Sequence, residues 1–316
     1  MEGGVPEAST LWLQERLGSM MRKFSWMLMV LLVLVGCSEE ITAVVETEPS
    51  PPNKITWEKD GKDMALIPSG AFEMGDSKKE PDGLMENAWP VHTVELDAFY
   101  MDTTEVTVGQ FRCFLAESGY EYDGNWNHVA RYFPSDEYPM VYVSWNEATA
   151  YAEWAGKRLP TEAEWEKAAR SKLKGQRYVW GDDLQFANHH ANFNGKQGKG
   201  KWDEITAPVG SLFANNGYGL YDMVGNVCEW CADSYKKDYY LDSPYKNPKG
   251  PDSSTKGVRV LRGGSWLNCA YYLRVAYRYY FPPNNRLVDN RFRCVIDVDT
   301  DGNPELVPAG KIWKEN

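Results

Sequence analysis

Residues 219–230, GLYDMVGNVCEW, form the stretch that decides the fold. The segments that accompany it are IPSGAFEMG at 67–75, VSWN at 143–146, AGKRLPTEAEWE at 155–166, LRGGSW at 261–266 and RFRC at 291–294. The chain shows no internal repeat, and its strand and helix patterns do not alternate. The lack of alternation disfavours a doubly wound parallel sheet.

Three helices are predicted from capping boxes, in which a Ser or Thr side chain accepts a backbone N–H and a Glu or Gln three residues later returns the bond. Their N-cap residues are Thr107, Ser144 and Thr161. Gly119 and Gly156 are predicted to end the first two helices, because glycine readily adopts the left-handed conformation found at helix ends.

Short strands are predicted at residues 65–67, 93–96 and 258–261, where apolar residues alternate or run together. The stretch at 178–218 is rich in Gly, Asn and Lys. A loop of that length in a compact domain is usually functional or stabilised by an ion.

The composition is that of a globular protein, with 43% hydrophobic and 25% charged residues. The net charge is −11 and no basic stripe is present, so a nucleic-acid partner is not expected. The 316 residues suffice for one large domain or two small ones once an N-terminal segment is set aside.

The N-terminus has the order of a secretory signal peptide. Arg22 and Lys23 precede an apolar run at 24–35, which closes on Leu-Val-Gly and Cys37. The run is about half of the roughly 20 residues that a membrane-spanning helix needs. The alternative, a short buried helix, would show polar positions on one face. Residues 1–20 do not fit before a signal peptide, which is consistent with a start at the adjacent methionines.

Cys37 resembles the lipobox cysteine of bacterial lipoproteins, which receives a diacylglycerol. The resemblance implies that residues 1–37 are a signal peptide with lipobox, and that the protein is exported and lipid-anchored to the bacterial cell envelope, on the periplasmic or outer-membrane face. Residues 38–58, rich in Glu, Thr and Pro, are predicted to be a flexible tether. Residues 59–300 are assigned to the domain, and 301–316 to a C-terminal tail.

Taken together and in order, the quoted segments resemble the formylglycine-generating enzyme family, also called the sulfatase-modifying factor domain, over roughly residues 60–296. The resemblance implies a single α+β domain related to C-type lectins, with little regular secondary structure. Enzymes of the family oxidise a sulfatase cysteine to formylglycine with copper and molecular oxygen. Its relatives include non-haem iron sulfoxide synthases, siderophore-maturation proteins and members with no assigned chemistry.

The family enzymes carry two active-site cysteines, three and eight residues after the serine that corresponds to Ser265. Here those positions hold Asn268 and Leu273. Because soft Cu(I) prefers thiolate ligands, copper is not expected and the enzymatic activity is left open. Cys269 is a weak catalytic candidate; the alternative is a small buried hydrophobic residue.

The resemblance also places a cleft around the family's reaction centre, lined by Ser265, Trp266, Arg274 and Arg278. The two arginines are predicted to bind a carboxylate of the ligand, and a surface salt bridge is the alternative. The expected ligand is a peptide or a small molecule.

Structural calcium is the cofactor that the resemblance implies, since calcium takes six to eight oxygen ligands. The ligands of the first predicted site are Asp222, the carbonyls of Gly225 and Val227, and Glu229. Those of the second are Asn192, Phe193 and Asp203. Capping and turn roles are the alternative for the acidic residues.

Three further patterns are weak. Four histidines, including the adjacent His189 and His190, lack the spacing of an iron site. Cys228 and Cys231 form a CxxC without a thioredoxin-like context. Residues 297–302 imitate the start of an EF-hand loop, but position twelve is proline. With Cys37 lipidated, Cys113, Cys228, Cys231, Cys269 and Cys294 remain, so at least one thiol has no partner within a monomer.

Three functions remain open from the sequence: an oxygen-dependent oxidase that modifies a sulfatase, a peptide or a small molecule; a calcium-stabilised lectin-like binding module; and a structural lipoprotein of the envelope. The absence of both copper thiolates slightly favours the binding module over formylglycine generation.

We expect Cys37→Ser to release the protein from membranes. Each buried CH₂ contributes about 0.8 kcal/mol, so two or three acyl chains anchor a protein stably. Membrane fractionation of cells that express either form tests this expectation. Equal membrane retention of the variant would contradict it.

Overall fold

The computed structural model describes residues 54–78, 83–194, 202, 205–212, 216–252, 257–299 and 304–305. All of them belong to one compact unit, residues 51–316. Cys37, the predicted signal peptide and Asp203 lie outside the described residues. Within the described part of the chain, no helix is long and apolar enough to cross a membrane.

The largest sheet brings the start of the domain next to its end. Its strands, in spatial order, are β1 (Lys54–Trp57), β2 (Lys62–Ile67), β5 (Phe99–Asp102), β10 (Val295–Val298) and β11 (Pro304–Glu305). All pairs are antiparallel. β1 lies inside the predicted tether and β11 inside the predicted tail. Alternate β1 side chains, Ile55 and Trp57, pack on the buried Met64, Tyr100 and Ile296, which explains why this segment is ordered as a strand.

Two smaller sheets complete the β structure of the described residues. β3 (Gly70–Met74) pairs with β4 (His92–Leu96). The other sheet has the order β8 (Tyr279–Phe281), β7 (Arg259–Arg262), β6 (Cys228–Ser234) and β9 (Asn290–Arg291). β9 runs parallel to β6 and places Arg291 opposite Glu229. The decisive stretch therefore enters β6 at the centre of this sheet.

The three capping-box helices are confirmed. They are α1 (Val108–Ser118), α3 (Trp145–Trp154) and α4 (Glu162–Arg170), each with both bonds of its box in place. Gly119 ends α1 with a φ of 68°. The sequence reading missed α2 (Trp126–Tyr132), which is capped by Asn125 without a box, and the single turn α5 (Ala187–His190). The predicted strands at 65–67 and 93–96 lie within β2 and β4, and the one at 258–261 overlaps β7.

Helix α4 has no solvent-facing side, because every residue of it is buried. Its carboxylates hold arginines from distant segments. Arg262 Nη1 lies 2.7 Å from Glu162 Oε1, and Arg262 Nη2 lies 2.6 Å from Glu166 Oε2. Arg278 binds both oxygens of Glu162 at 2.6 and 2.9 Å. Burial by itself raises the pKa of Glu162, but Arg278 and Arg262 lower it by more, so the carboxylate is held ionised.

We expect Arg262→Ala to cost about 3–5 kcal/mol of unfolding free energy, because it leaves two buried carboxylates short of a partner. Urea unfolding followed by tryptophan fluorescence measures the loss. Arg112→Ala is the matched control, since the Arg112–Asp136 pair is more than half exposed and should contribute little. Equal losses in the two variants would contradict this role of the buried pairs.

Candidate functional site

Ser265 follows β7 on a turn that requires glycine. Gly263 and Gly264 have φ angles of 93° and 69°. A Cβ on Gly264 would lie 2.6 Å from the carbonyl oxygen of Tyr272, closer than a side chain can approach. The turn therefore fixes the direction in which the chain presents Ser265.

Ser265 is fully buried and linked to two side chains. Its Oγ lies 2.9 Å from Asn268 Oδ1 and 2.9 Å from Asp289 Oδ2. The backbone N–H of Ser265 also donates to Asn268 Oδ1, at 2.8 Å. Burial raises the pKa of Asp289, and the hydrogen bond from Ser265 partly opposes that shift. We call Ser265, Asn268, Asp289 and the neighbouring Cys228 the Ser265 site.

Asn268 and Leu273, which the sequence resemblance places at the family's two cysteine positions, both have structural contacts. Asn268 Oδ1 accepts from Ser265, and its carbonyl accepts from the Asn194 N–H at 2.8 Å. Leu273 has no solvent exposure. Neither position offers a metal ligand that Cu(I) favours.

Two cysteines flank these positions. Cys228 Sγ lies 4.0 Å from Asn268 Oδ1, and burial raises the pKa of the thiol well above its usual value. Cys228 therefore stays protonated near neutral pH. Cys269 is exposed, so its reading as a small buried hydrophobic residue is wrong. It is the N-cap of the short 3-10 helix Ala270–Leu273, which turns its side chain outward.

Tyrosines border the Ser265 site. The rings of Tyr272, Tyr277 and Tyr279 lie 4.8 to 5.6 Å apart, and all three are half-buried. Burial, with Tyr272 and Cys228 nearby, raises the pKa of Tyr277 to about 12. The Tyr277 phenol therefore keeps its proton near neutral pH and can donate a hydrogen bond. Sequence reasoning missed these three tyrosines and Asp289. The aromatic residues concentrated at 271–281 were the available signal for the tyrosines.

Of the remaining predicted cleft residues, Arg274 and Trp266 pack against tyrosines, whereas Arg278 lies in a buried ion pair. Arg274 joins the tyrosines, with its guanidinium 3.9 Å from the ring centre of Tyr271. Trp266 packs beside Tyr132 at 6.0 Å between ring centres. Arg278 does not bind at the site, because its guanidinium is paired with both carboxylate oxygens of Glu162. The sequence could not foresee this pairing, since the two residues are 116 positions apart.

The residues of the first predicted calcium site do not fit that ion. Both carboxylate oxygens of Glu229 accept from Arg293, at 2.7 Å each, and Oε2 also accepts from Trp165 at 2.8 Å. Asp222 Oδ2 accepts from the Gly210 N–H at 2.6 Å. No group of three or more His, Cys, Asp or Glu among the described residues is arranged to hold a metal.

The second predicted calcium site is incomplete in the described residues because Asp203 lies outside them. Asn192 and Phe193 are buried, and Asn192 Nδ2 donates to the Ile205 carbonyl at 3.0 Å. Calcium binding at this position remains a prediction.

The weak motifs have structural roles. Cys228 and Cys231 lie three residues apart in β6, so their side chains point to opposite faces and they form no disulfide. His190 stacks on Trp180 at 5.4 Å. Asp297 lies in β10 and accepts from Arg158 at 3.2 Å.

The domain consists of short sheets joined by long irregular segments, and a Gly-Gly-Ser turn leads from β7 to the Ser265 site. The chain belongs to the family described as the sulfatase-modifying factor enzyme 1-like domain, which matches residues 51–298. This confirms the family and the fold predicted from the sequence motifs.

The similar proteins differ in their described activities. The chain is 36% identical to the formylglycine-generating enzyme of Streptomyces coelicolor, over 79% of this chain and 96% of that enzyme. It is 34% identical to the inactive C-alpha-formylglycine-generating enzyme 2 of Bos taurus, over 73% and 87% of the two chains. The structure of PvdO from Pseudomonas aeruginosa matches with a TM-score of 0.69 and 27% identity, covering 79% of this chain and 100% of that one.

Thiol labelling should distinguish the cysteines. In the folded Cys37→Ser variant, we expect Cys113 and Cys269 to react readily with an aromatic disulfide reagent, because they are exposed. Cys228, Cys231 and Cys294 should react only after unfolding, since burial raises the pKa of each thiol well above its usual value. Cys269→Ser should remove one fast equivalent. A third fast thiol would contradict the buried position of Cys228.

Proposed function

We propose that this protein is an exported, lipid-anchored member of the family that binds a peptide or small molecule at the Ser265 site and does not generate formylglycine. The observation that carries the proposal is the pair of residues at the family's two cysteine positions. Asn268 accepts hydrogen bonds from Ser265, and Leu273 is buried in apolar surroundings.

Coordination chemistry supports the negative half of the proposal. Two thiolates bind Cu(I) tightly, whereas an amide and an alkyl group do not. Cys228 is the thiol beside Asn268, and it is a single buried sulfur. Cys269 offers a single sulfur and is exposed. The description of the Bos taurus relative as inactive is compatible with a member of the family that lacks the reaction.

The groups at the Ser265 site support binding. Asp289, which is only partly buried, offers a carboxyl group beside the fully buried Ser265, and the neighbouring phenols add donors on half-buried aromatic faces. Such surfaces combine apolar contact with hydrogen bonding and suit a polar organic ligand. Arg274, held over the Tyr271 ring, adds a positive charge that favours a ligand with a carboxylate.

An oxygen-dependent oxidase is the second candidate function. The observation in its favour is that two thiols, Cys228 and Cys269, flank Asn268 in space and in sequence. A copper site built from them would need Cys269 to turn inward and Cys228 to lose its proton. The third candidate function is a lectin-like binding module that is stabilised by calcium at the second predicted site.

We expect no formylglycine when the purified protein is incubated with Cu(I), oxygen and a Cys-x-Pro-x-Arg peptide. Mass spectrometry of the peptide is the direct measurement, and competition with a Cu(I) chelator reports metal binding separately. The Asn268→Cys/Leu273→Cys variant is the matched comparison, because it restores thiols at both family positions. It should compete for Cu(I) where the wild type does not.

Conversion of the peptide thiol to an aldehyde by the wild type would overturn the proposal. If Cys269→Ser then abolished that conversion, the protein would be an oxidase with a displaced copper site. A formylglycine-generating enzyme of the family serves as the positive control for peptide and copper quality.

A further inference from the structure

Five charged side chains form a cluster that has no solvent access. Its members are Glu105, Asp222, Glu229, Arg291 and Arg293, of which none is more than 1% exposed. We call it the Arg291 cluster. It contains both acidic side chains of the first predicted calcium site.

Arg293 is committed to partners around it. It binds both oxygens of Glu229 and also donates to the carbonyls of Asp102, Thr103 and Tyr221, at 3.2, 3.4 and 2.9 Å. Arg293 therefore fixes Glu229 and cannot compensate the other acids equally well.

Arg291 is the second positive charge in the cluster. Its Nη2 forms an ion pair with Glu105 Oε1, to which Arg293 Nη2 approaches only to 3.8 Å. The β9–β6 register sets Arg291 opposite Glu229. The guanidinium of Arg291 therefore pairs with Glu105 and interacts electrostatically with Glu229 and Asp222, without a hydrogen bond to either.

Asp222, like Glu105, has a carboxylate oxygen without a hydrogen-bond partner. Its backbone is left-handed, with a φ of 55°. Its Oδ2 accepts from Gly210, while the buried Oδ1 has no hydrogen-bond partner.

Charge counting shows that the cluster has no place for a divalent ion. With all three acids ionised, the cluster carries three negative and two positive charges, a sum of −1. Added Ca²⁺ would leave one positive charge uncompensated without access to water, which is strongly unfavourable.

We infer that the Arg291 guanidinium takes the place of a calcium ion among Glu105, Asp222 and Glu229, so that this part of the domain folds without that metal. The arginine is an internal cation that chelators cannot remove. Any calcium bound by the protein is held elsewhere, for example at the second predicted position.

Arg291→Ala tests the inference by creating the missing site. The variant has three acids and one arginine, a sum of −2 that Ca²⁺ would neutralise, and a space where the side chain stood. We expect it to contain one more calcium ion per chain than the wild type by elemental analysis. Its melting temperature should rise with millimolar calcium and fall with EGTA by a larger margin than that of the wild type, because a ligand of the folded state stabilises it by mass action.

Two matched variants separate the effect of the lost positive charge from nonspecific destabilisation of the fold. Arg291→Lys keeps a positive charge and should show no gain of calcium. Arg291→Ala/Asp222→Asn should lose the gain, because a predicted ligand is neutralised. An Arg291→Ala protein that binds no additional calcium would overturn the inference.

A measurement on the wild-type cluster keeps the inference testable even if Arg291→Ala does not fold. Asp222→Asn in the otherwise wild-type protein should leave the calcium content and the effect of EGTA on melting unchanged. Loss of one calcium ion per chain in this variant would show that Asp222 binds calcium beside Arg291, contrary to the inference.

Discussion

The buried ion pairs between α4 and Arg262 and Arg278 are the constraint on which the rest of the domain depends. Glu162 and Glu166 lie one turn apart and receive guanidinium groups from residues 96 to 116 positions away. A charge without solvent access is strongly destabilising unless its partner is in place. Short sheets and long irregular segments leave much of the backbone with few ladder bonds. The ion pairs therefore specify which distant segments pack against α4, and they do so more strictly than apolar packing alone.

These pairs also set the position of the Ser265 site. Arg262 is the last residue of β7, and the Gly263-Gly264 turn follows it directly. Gly263 approaches the Trp165 ring so closely that an added Cβ would lie 3.2 Å from Cζ2. Trp165, in turn, donates to Glu229 at 2.8 Å. Helix α4 thus supports the turn through a salt bridge and a ring contact, and neither depends on what occupies positions 268 and 273.

The sequence predicted best what neighbouring residues determine. Capping boxes located α1, α3 and α4 because the bonds that define them span three residues. Ordered motifs predicted the family and its fold. The sequence predicted poorly what depends on distant partners: Arg278 was expected to bind a ligand and binds Glu162, and β1 was assigned to the tether because its packing partners lie in other strands. The side-chain direction of Cys269 follows from the 3-10 turn that begins after it.

Positions 268 and 273 show how a scaffold held in this way accepts different chemistry. Asn268 closes the Ser265 turn by accepting from the backbone N–H of Ser265, with its Oδ1 2.9 Å from the Ser265 Oγ. Leu273 fills apolar space against Gly264, where an added Cβ would lie 3.0 Å from Cδ2. Asn268 makes hydrogen bonds and Leu273 makes apolar contacts, and neither set of contacts involves a metal. Arg291 follows the same principle, since a side chain supplies the charge that a bound ion would otherwise bring. Because α4 and its arginines maintain the backbone through contacts that involve neither position 268 nor position 273, hydrogen-bonding and apolar side chains can occupy these positions while the fold is kept.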